Sequence, residues 1–306
     1  MIKALFTDKN LIWGIAALLI LFGLLFVLDT LVTHRLFDKE IFVITSGEGF
    51  GQIADQLAQQ RLIPSATAFR SYGYLRGDYG KIKPGAYALS GQLSTIDIFK
   101  MLLDGPPVTR VTVTEGMSLN EIEKLLRDRA VITGKQSLSE TNQDLKSQYQ
   151  FLKDISSVDG FLFPDTYQFM LGSDPSTILK KFLENFSEKA WPLIEQKKNY
   201  YQILIMASLI EKEVPLPKDR FIVSGILWKR LQAGMKLQVD AAPETYEHYG
   251  LPLKPIDNPG LGAIEAALLP KATSFWYYLS DPKTSKTIFS ETFDEHIDNK
   301  YRYLRK

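Results

Sequence analysis

The stretch Gln202-Ile203-Leu204-Ile205-Met206-Ala207-Ser208-Leu209-Ile210-Glu211-Lys212-Glu213-Val214 is apolar almost throughout, yet it ends on two carboxylates. Read as a helix, it must be buried, and its acids become conspicuous. Glu211 follows Ala207 and Ser208 by four and three positions and so shares a face with small side chains that leave room for a ligand. Glu213 lies about 200° further round. Both acids fall in the last turn, where the negative helix end and any loss of solvent favour the protonated carboxyl. A carboxyl of raised pKa suits a general acid. The alternative, two solvent-facing acids marking an exposed helix end, stays open on these residues alone.

Other chemistries find less support. The three histidines, His34, His248 and His296, are widely separated, and neither an H-E-x-x-H pair nor a calcium-loop spacing occurs. No metal or other cofactor is expected. There is no cysteine, which removes thiolate sites, disulfides and cysteine nucleophiles. No G-x-S-x-G is present, and Gly134-Lys135-Gln136 lacks the rest of a phosphate loop. Gly47-x-Gly49-x-Gly51 lacks the third glycine of a dinucleotide fingerprint. With 36 basic against 35 acidic side chains there is no field to attract a polyanion, so nucleic acid is not an expected partner. Carboxylate chemistry, or none, remains.

The elements that must position these acids can be read along the 306 residues. Leu11 to Leu28 carries no charge, and at 1.5 Å per residue it spans about 27 Å, close to a bilayer core. The run is longer than a signal-peptide core and no small-x-small cleavage site follows, which points to an uncleaved anchor over 11–32 behind a cytoplasmic tail, 1–10. Lys3 and Lys9 are balanced by Arg35 and Lys39, so the orientation rests on the short amino-terminal head.

Beyond it, Ile41-Phe42-Val43-Ile44, a turn at Ser46–Gly49 and a helical spacing of Ile53, Leu57 and Leu62-Ile63 predict strand, turn and helix. The pattern returns 69 residues later, where Gly47, Ile53, Leu57 and Ile63 match Gly116, Ile122, Leu126 and Ile132, a signal of internal duplication. The first copy continues through helices near 66–75 and 95–103 and ends at Asp104-Gly105-Pro106-Pro107. It resembles a LysM-like module over 38–105, which implies glycan binding. Further helices are expected at 175–189, 201–214 and 219–233, with a polar stretch of uncertain form from Gly134 to Gln150. The fold class is therefore α+β: a transmembrane helix, a small α/β module and a larger mixed α+β domain over 108–306.

Four ordered motifs carry a wider resemblance. Gly160-Phe-Leu-Phe-Pro-Asp-Thr-Tyr167, Ala207-Ser-Leu-Ile-Glu-Lys-Glu213, Leu237-Gln-Val-Asp240 and Ile256-Asp-Asn-Pro-Gly260 with Ile264-Glu-Ala-Ala267 make the chain similar to the YceG-like family of endolytic murein transglycosylases. The resemblance implies a lyase that cuts MurNAc–GlcNAc bonds within peptidoglycan strands and leaves 1,6-anhydro ends. It gives Glu211 the role of catalytic acid and base. It makes Gln238, Asp240, Asn258, Tyr167, Glu213 and Ser208 candidate substrate contacts. It further implies an inner-membrane protein with a periplasmic catalytic domain, and cell-wall synthases as candidate partners. A hydrolytic muramidase would need a second carboxylate near Glu211, with Asp240 the first candidate; a binding scaffold would need none. The family's G-H-x-F stands here as Lys286-Thr287-Ile288-Phe289, and the segment between Tyr246 and Leu251 is short, which is expected to alter the cleft.

Overall fold

The computed structural model describes residues 8–133, 137–139, 143–284 and 286–304. Part of the polar stretch 134–150 therefore lies outside the described residues. The chain divides into two units, one of residues up to 109 together with 170–174, the other of 110–169 and 175 onward.

The first unit opens with helix α1 (Asp8–Val32), whose apolar side chains face outward on every side; Trp13 is 73% and Phe22 70% exposed. Ile12–Val32 is long and apolar enough to cross a membrane, as an anchor or a signal sequence. Only its end is buried, where the Thr95 hydroxyl donates to the Thr30 carbonyl at 3.1 Å. Then follow β1 (Arg35–Ile44), α2 (Phe50–Gln59), α3 (Ala66–Arg76), β2 (Gly85–Leu93) and α4 (Thr95–Asp104). β1 and β2 pair antiparallel from Ile44–Gly85 to Arg35–Leu93, with an irregularity between Phe37 and Glu40. Their inward residues Phe42, Ile44, Tyr87 and Leu89 close a core with Ile53, Leu57, Phe69 and Phe99. Segment 170–174 joins this unit because Leu171 accepts from Ala86 N at 2.7 Å and donates to the Pro107 carbonyl at 3.0 Å.

The second copy of the pattern runs through β3 (Val108–Val113), α5 (Leu119–Asp128), α6 (Gln143–Gln148), β4 (Asp165–Met170) and α7 (Pro175–Lys189), with β3 and β4 paired. Strand, helix, helix, strand, helix is thus the order in both copies. The 69-residue offset extends to the backbone: α2 and α5 start and stop in register, Gly47 and Gly116 have φ +91° and +77°, and Arg61 and Ala130 have φ +59° and +55°. A left-handed residue after the helix reverses the chain and lets the next amide satisfy a helix carbonyl. Leu62 N reaches Leu57 O at 2.8 Å, and Val131 N reaches Leu126 O at 2.8 Å. The apolar pairs Leu62-Ile63 and Val131-Ile132 are thereby delivered to their cores.

The remaining helices are α8 (Trp191–Ile194), α9 (Tyr200–Glu213), α10 (Pro217–Gln232), α11 (Glu244–Glu247), α12 (Leu261–Leu268) and α13 (Phe293–Leu304), with hairpin strands β5 (Tyr277–Ser280) and β6 (Thr287–Ser290) before the last. α9 is buried from Ile203 to Ile210, as its all-round apolar sequence requires. α12 packs on it, with Ala263, Ala266 and Ala267 enclosed beside the buried Ala207, and small side chains on both helices permit the close approach.

Leu126 is fully buried at the hinge of the second copy. Leu126→Ala is expected to cost about 2–5 kcal/mol in chemical unfolding of the full chain in detergent. A loss under about 0.5 kcal/mol would contradict the packing described.

Candidate active site

Glu211 occupies the last turn of α9 and its side chain is only 5% exposed. Pro215 and Pro217 end that helix and start α10, which carries Arg220 back beside it. Arg220 Nη2 donates to Glu211 Oε1 at 2.5 Å, Nη1 to Oε2 at 3.4 Å, and the Gly260 amide at the start of α12 donates to Oε2 at 3.0 Å. The carboxylate thus faces the positive end of one helix while closing the negative end of another. Burial pushes the Glu211 carboxyl above its ordinary value; the Gly260 amide and Arg220 pull the other way, and Glu115 adds repulsion.

The turn between β3 and α5 covers this group. Ser118 caps α5: its Oγ accepts from Glu121 N at 3.4 Å, while its own N donates to Glu121 Oε2 at 2.8 Å. The cap fixes Glu115, Gly116 and Met117. A Cβ on Gly116 would lie 3.5 Å from Glu211 Cγ, 3.7 Å from Asp257 Oδ2 and 3.9 Å from Lys212 Cδ. Glu115 lies over Gly260, where a Cβ would meet Glu115 Oε1 at 1.9 Å, and comes within 4.0 Å of Arg220. Asn258 latches the arrangement. Its side-chain N donates to Met117 O at 2.9 Å, its Oδ1 accepts from Leu162 N at 2.8 Å, and its carbonyl accepts from Gly116 N at 3.0 Å.

Glu211 opens into a cleft of about 510 Å³ lined by Thr112, Thr114, Glu115, Pro164, Asp165 and Thr166 among others. Along its floor the Thr112 and Thr166 hydroxyls share a hydrogen bond of 2.9 Å across β3 and β4. Asp165, held by Lys189 and Asn185, is pulled down to about 2. A larger groove of about 770 Å³, lined by Tyr249, Leu253 and Lys254 among others, contains no part of Glu211. The smaller cleft is the candidate active site, because the buried carboxyl of raised pKa lines it.

The expected contacts divide between this cleft and its framework. Asn258 is fully buried as the latch. Ser208, also fully buried, donates to Ile205 O at 2.7 Å and accepts from Ile256 N at 3.1 Å, so the space beside Ala207 and Ser208 holds the 256–260 loop. The Tyr167 hydroxyl donates to Phe163 O and accepts from Asn185, a buried role that lifts its pKa. Gln238 is exposed on a left-handed backbone, φ +53°, unusual for its type. Asp240 accepts from the Tyr246 hydroxyl, and Glu213 accepts from Ala241 N at 3.1 Å; burial raises Glu213. Asp240 thus belongs with Glu213 and Tyr246, outside the shell of Glu211. Thr287 pairs with Ser280 in the β5–β6 hairpin and does not line the cleft.

Arg220, Glu115 and Asp257 escaped the sequence reading. Arg220 has no motif spacing to Glu211, and Glu115 appeared only as part of a repeated turn. Asp257 lies beside Asn258 in the 256–260 motif, and its residue type alone does not mark it for burial.

A profile of the YceG-like family matches residues 42–244 and 243–302. The chain belongs to the YceG-like family. It is 28% identical to the endolytic murein transglycosylase of Bacillus subtilis over 85% of this chain and 84% of that one. It is 23% identical to that of Streptococcus pneumoniae serotype 2 over 91% of this chain, spanning 61% of the relative's length. The crystal structure of a yceG-like protein from Listeria monocytogenes superposes with a TM-score of 0.55 at 25% identity, covering 86% of this chain and 99% of the other.

Asp257 is fully buried, neither carboxyl oxygen has a hydrogen-bond partner among the described residues, and burial pushes it up to about 8; Lys212 opposes the shift while Glu211 and Glu121 add to it. Between the unfolded value near 4 and about 8, the folded chain holds a proton that the unfolded chain has lost. Stability from this group is therefore full below about pH 4 and falls as pH rises to about 8, by on the order of 4 kcal/mol at pH 7. Asp257→Asn is expected to remove that slope and to melt higher than wild type at neutral pH. Parallel melting curves from about pH 5 to 8 would contradict it.

Proposed function

We propose that this protein is a membrane-anchored endolytic lytic transglycosylase that cuts the MurNAc–GlcNAc bond within peptidoglycan strands, with Glu211 as its acid and base. The observation that carries the proposal is a single buried carboxyl of raised pKa opening into a cleft lined by hydroxyls and carboxyls. Membership of the family and the names of the relatives agree with it. Protonated Glu211 gives its proton to the leaving glycosidic oxygen. The resulting carboxylate, steadied by Arg220 and the Gly260 amide, then takes the proton from the 6-hydroxyl of the same muramyl residue. The 1,6-anhydro ring closes and no water is consumed. The hydroxyl attacks within one sugar, so a second protein nucleophile is not required.

Gln238 and Asp240 are assigned to sugar contact because both are exposed. Glu213 braces their loop, and Asn258, Tyr167 and Ser208 hold the cleft walls. The helix order of residues 38–105 supports a LysM-like glycan-binding module, and residues 108–306 are assigned as the catalytic domain. The exposed apolar face of α1 supports a single-pass anchor in the bacterial inner membrane, with residues 1–10 cytoplasmic and the rest periplasmic. Such a tether confines cutting to glycan near the membrane, where cell-wall synthases are the candidate partners.

Hydrolysis is the second reading, favoured by one observation: Glu115 lines the same cleft as Glu211 and could activate a water. Digestion of purified sacculi decides between them, since the anhydro product is lighter by one water. Glu211→Gln is expected to lower product release by ~10³-fold or more, and Glu213→Gln by far less. Equal activity of the two variants would remove Glu211 from its role. A reporter fused after Lys306 is expected to be exported with the amino-terminal span retained, and a processed soluble chain starting near residue 30 would contradict the anchor.

A further inference from the structure

Asp257 has no task in the proposed acid–base cycle, although a buried carboxyl without a partner costs stability. It is fully buried and both oxygens lack a hydrogen-bond partner among the described residues, an arrangement that native proteins keep rare. A carboxyl in that setting keeps its proton, because an isolated charge there has neither water nor a donor to stabilise it. Its place is not random. Asp257 Oδ2 and Glu211 Cγ approach the same Gly116 carbon, and the next three residues supply the Asn258 latch and the Gly260 amide that binds Glu211.

We propose that Asp257 is a positioning residue for Glu211: behind the cleft it holds the proton that limits the two carboxyls to one negative charge, and it sets the upper pH limit of glycan cleavage. This rests on Glu211 being the acid. Every charged group facing the pair bears on it. Glu211 and Lys212 come from α9, Glu121 from α5, Glu115 from the turn before α5, and Arg220 from α10. Arg220 and the Gly260 amide place three N–H donors on Glu211, whereas Asp257 has none, so in the resting site the charge sits on Glu211 and the proton on Asp257. Two carboxylates this close resist double ionisation, and the site keeps its proton until Asp257 gives it up. No hydrogen bond joins the two carboxyls, so the exchange runs through solvent: Asp257 releases its proton to water, Glu211 takes one from water in the open cleft, and both steps reverse after turnover. The charge left on Asp257 faces the Lys212 ammonium, whose electrostatic effect favours that form.

The test is the pH dependence of anhydro-product release by the full chain in detergent, for wild type and Asp257→Asn, with the carboxyl carbons of aspartate observed by ¹³C NMR. Asparagine cannot store a proton, so the alkaline limb of the rate profile is expected to move to lower pH by about one unit or more while the acid limb keeps its position. One aspartate signal in the wild type is expected to titrate in the neutral to alkaline range and to vanish in the variant. Asp257→Ser, smaller and equally unable to titrate, is expected to move the same limb. A uniform loss of rate at every pH, superimposable alkaline limbs, or wild-type aspartates that all titrate below about pH 5 would overturn the proposal. If wild type releases no anhydro product at any pH, the transglycosylase reading fails instead, and the ¹³C titration still decides the protonation of Asp257.

Discussion

The desolvation of one carboxylate, Glu211, is the constraint around which the second unit is built. Its side chain leaves water at the end of a helix that is buried from Ile203 to Ile210, so its charge must be met by the protein. Two things meet it, a proline-broken turn that returns Arg220 to its side and a glycine amide at the start of α12, while the capped turn that covers it adds the repulsion of Glu115. Each partner is itself constrained. Arg220 is 9% exposed and divides its guanidinium between Glu211 and the Val214 carbonyl, and Gly260 leaves no volume for a Cβ beneath Glu115. Breaking such a buried pair on one side leaves an uncompensated charge, which makes the arrangement brittle toward substitution and exact in geometry.

The chemistry draws on that tension. Burial and Glu115 raise the Glu211 carboxyl, while Arg220 and the Gly260 amide stabilise its ionised form, so both protonation states are accessible, as the proposed role of acid and base requires. Asn258 ties the 116–117 turn, Leu162 and the 258–260 loop through its carbonyl and both side-chain polar atoms. The acid is thus held by rigid elements even though the cleft it serves is open.

The duplicated strand–helix–helix–strand–helix pattern shows how one framework is put to two uses. In the first copy the turn at Gly47 leads into α2. In the second the equivalent turn carries Glu115 and Gly116, and the glycine's missing side chain is what admits Glu211, Lys212 and Asp257 to one place. The same left-handed reversal then follows the helix in both copies, at Arg61 and at Ala130. The framework is shared, and the candidate site lies beside one copy.

Local sequence determined the elements and one member of the site. Apolar periodicity and the 69-residue echo located β1, β3, α2 and α5 but not α6 or β4, prolines at 175, 215 and 217 marked helix ends, and an acid closing an apolar helix pointed to Glu211, because each signal is carried by neighbours in the chain. What surrounds Glu211 was decided by tertiary structure. Arg220, Glu115 and Asp257 reach it from three segments whose separations of 9, 96 and 46 residues encode no contact. The same closure turned Asn258, Tyr167 and Ser208 inward as framework and grouped Asp240 with Glu213 and Tyr246. Residue type says that a side chain can hydrogen-bond; which partner it meets, and whether water can still reach it, depends on how distant segments pack.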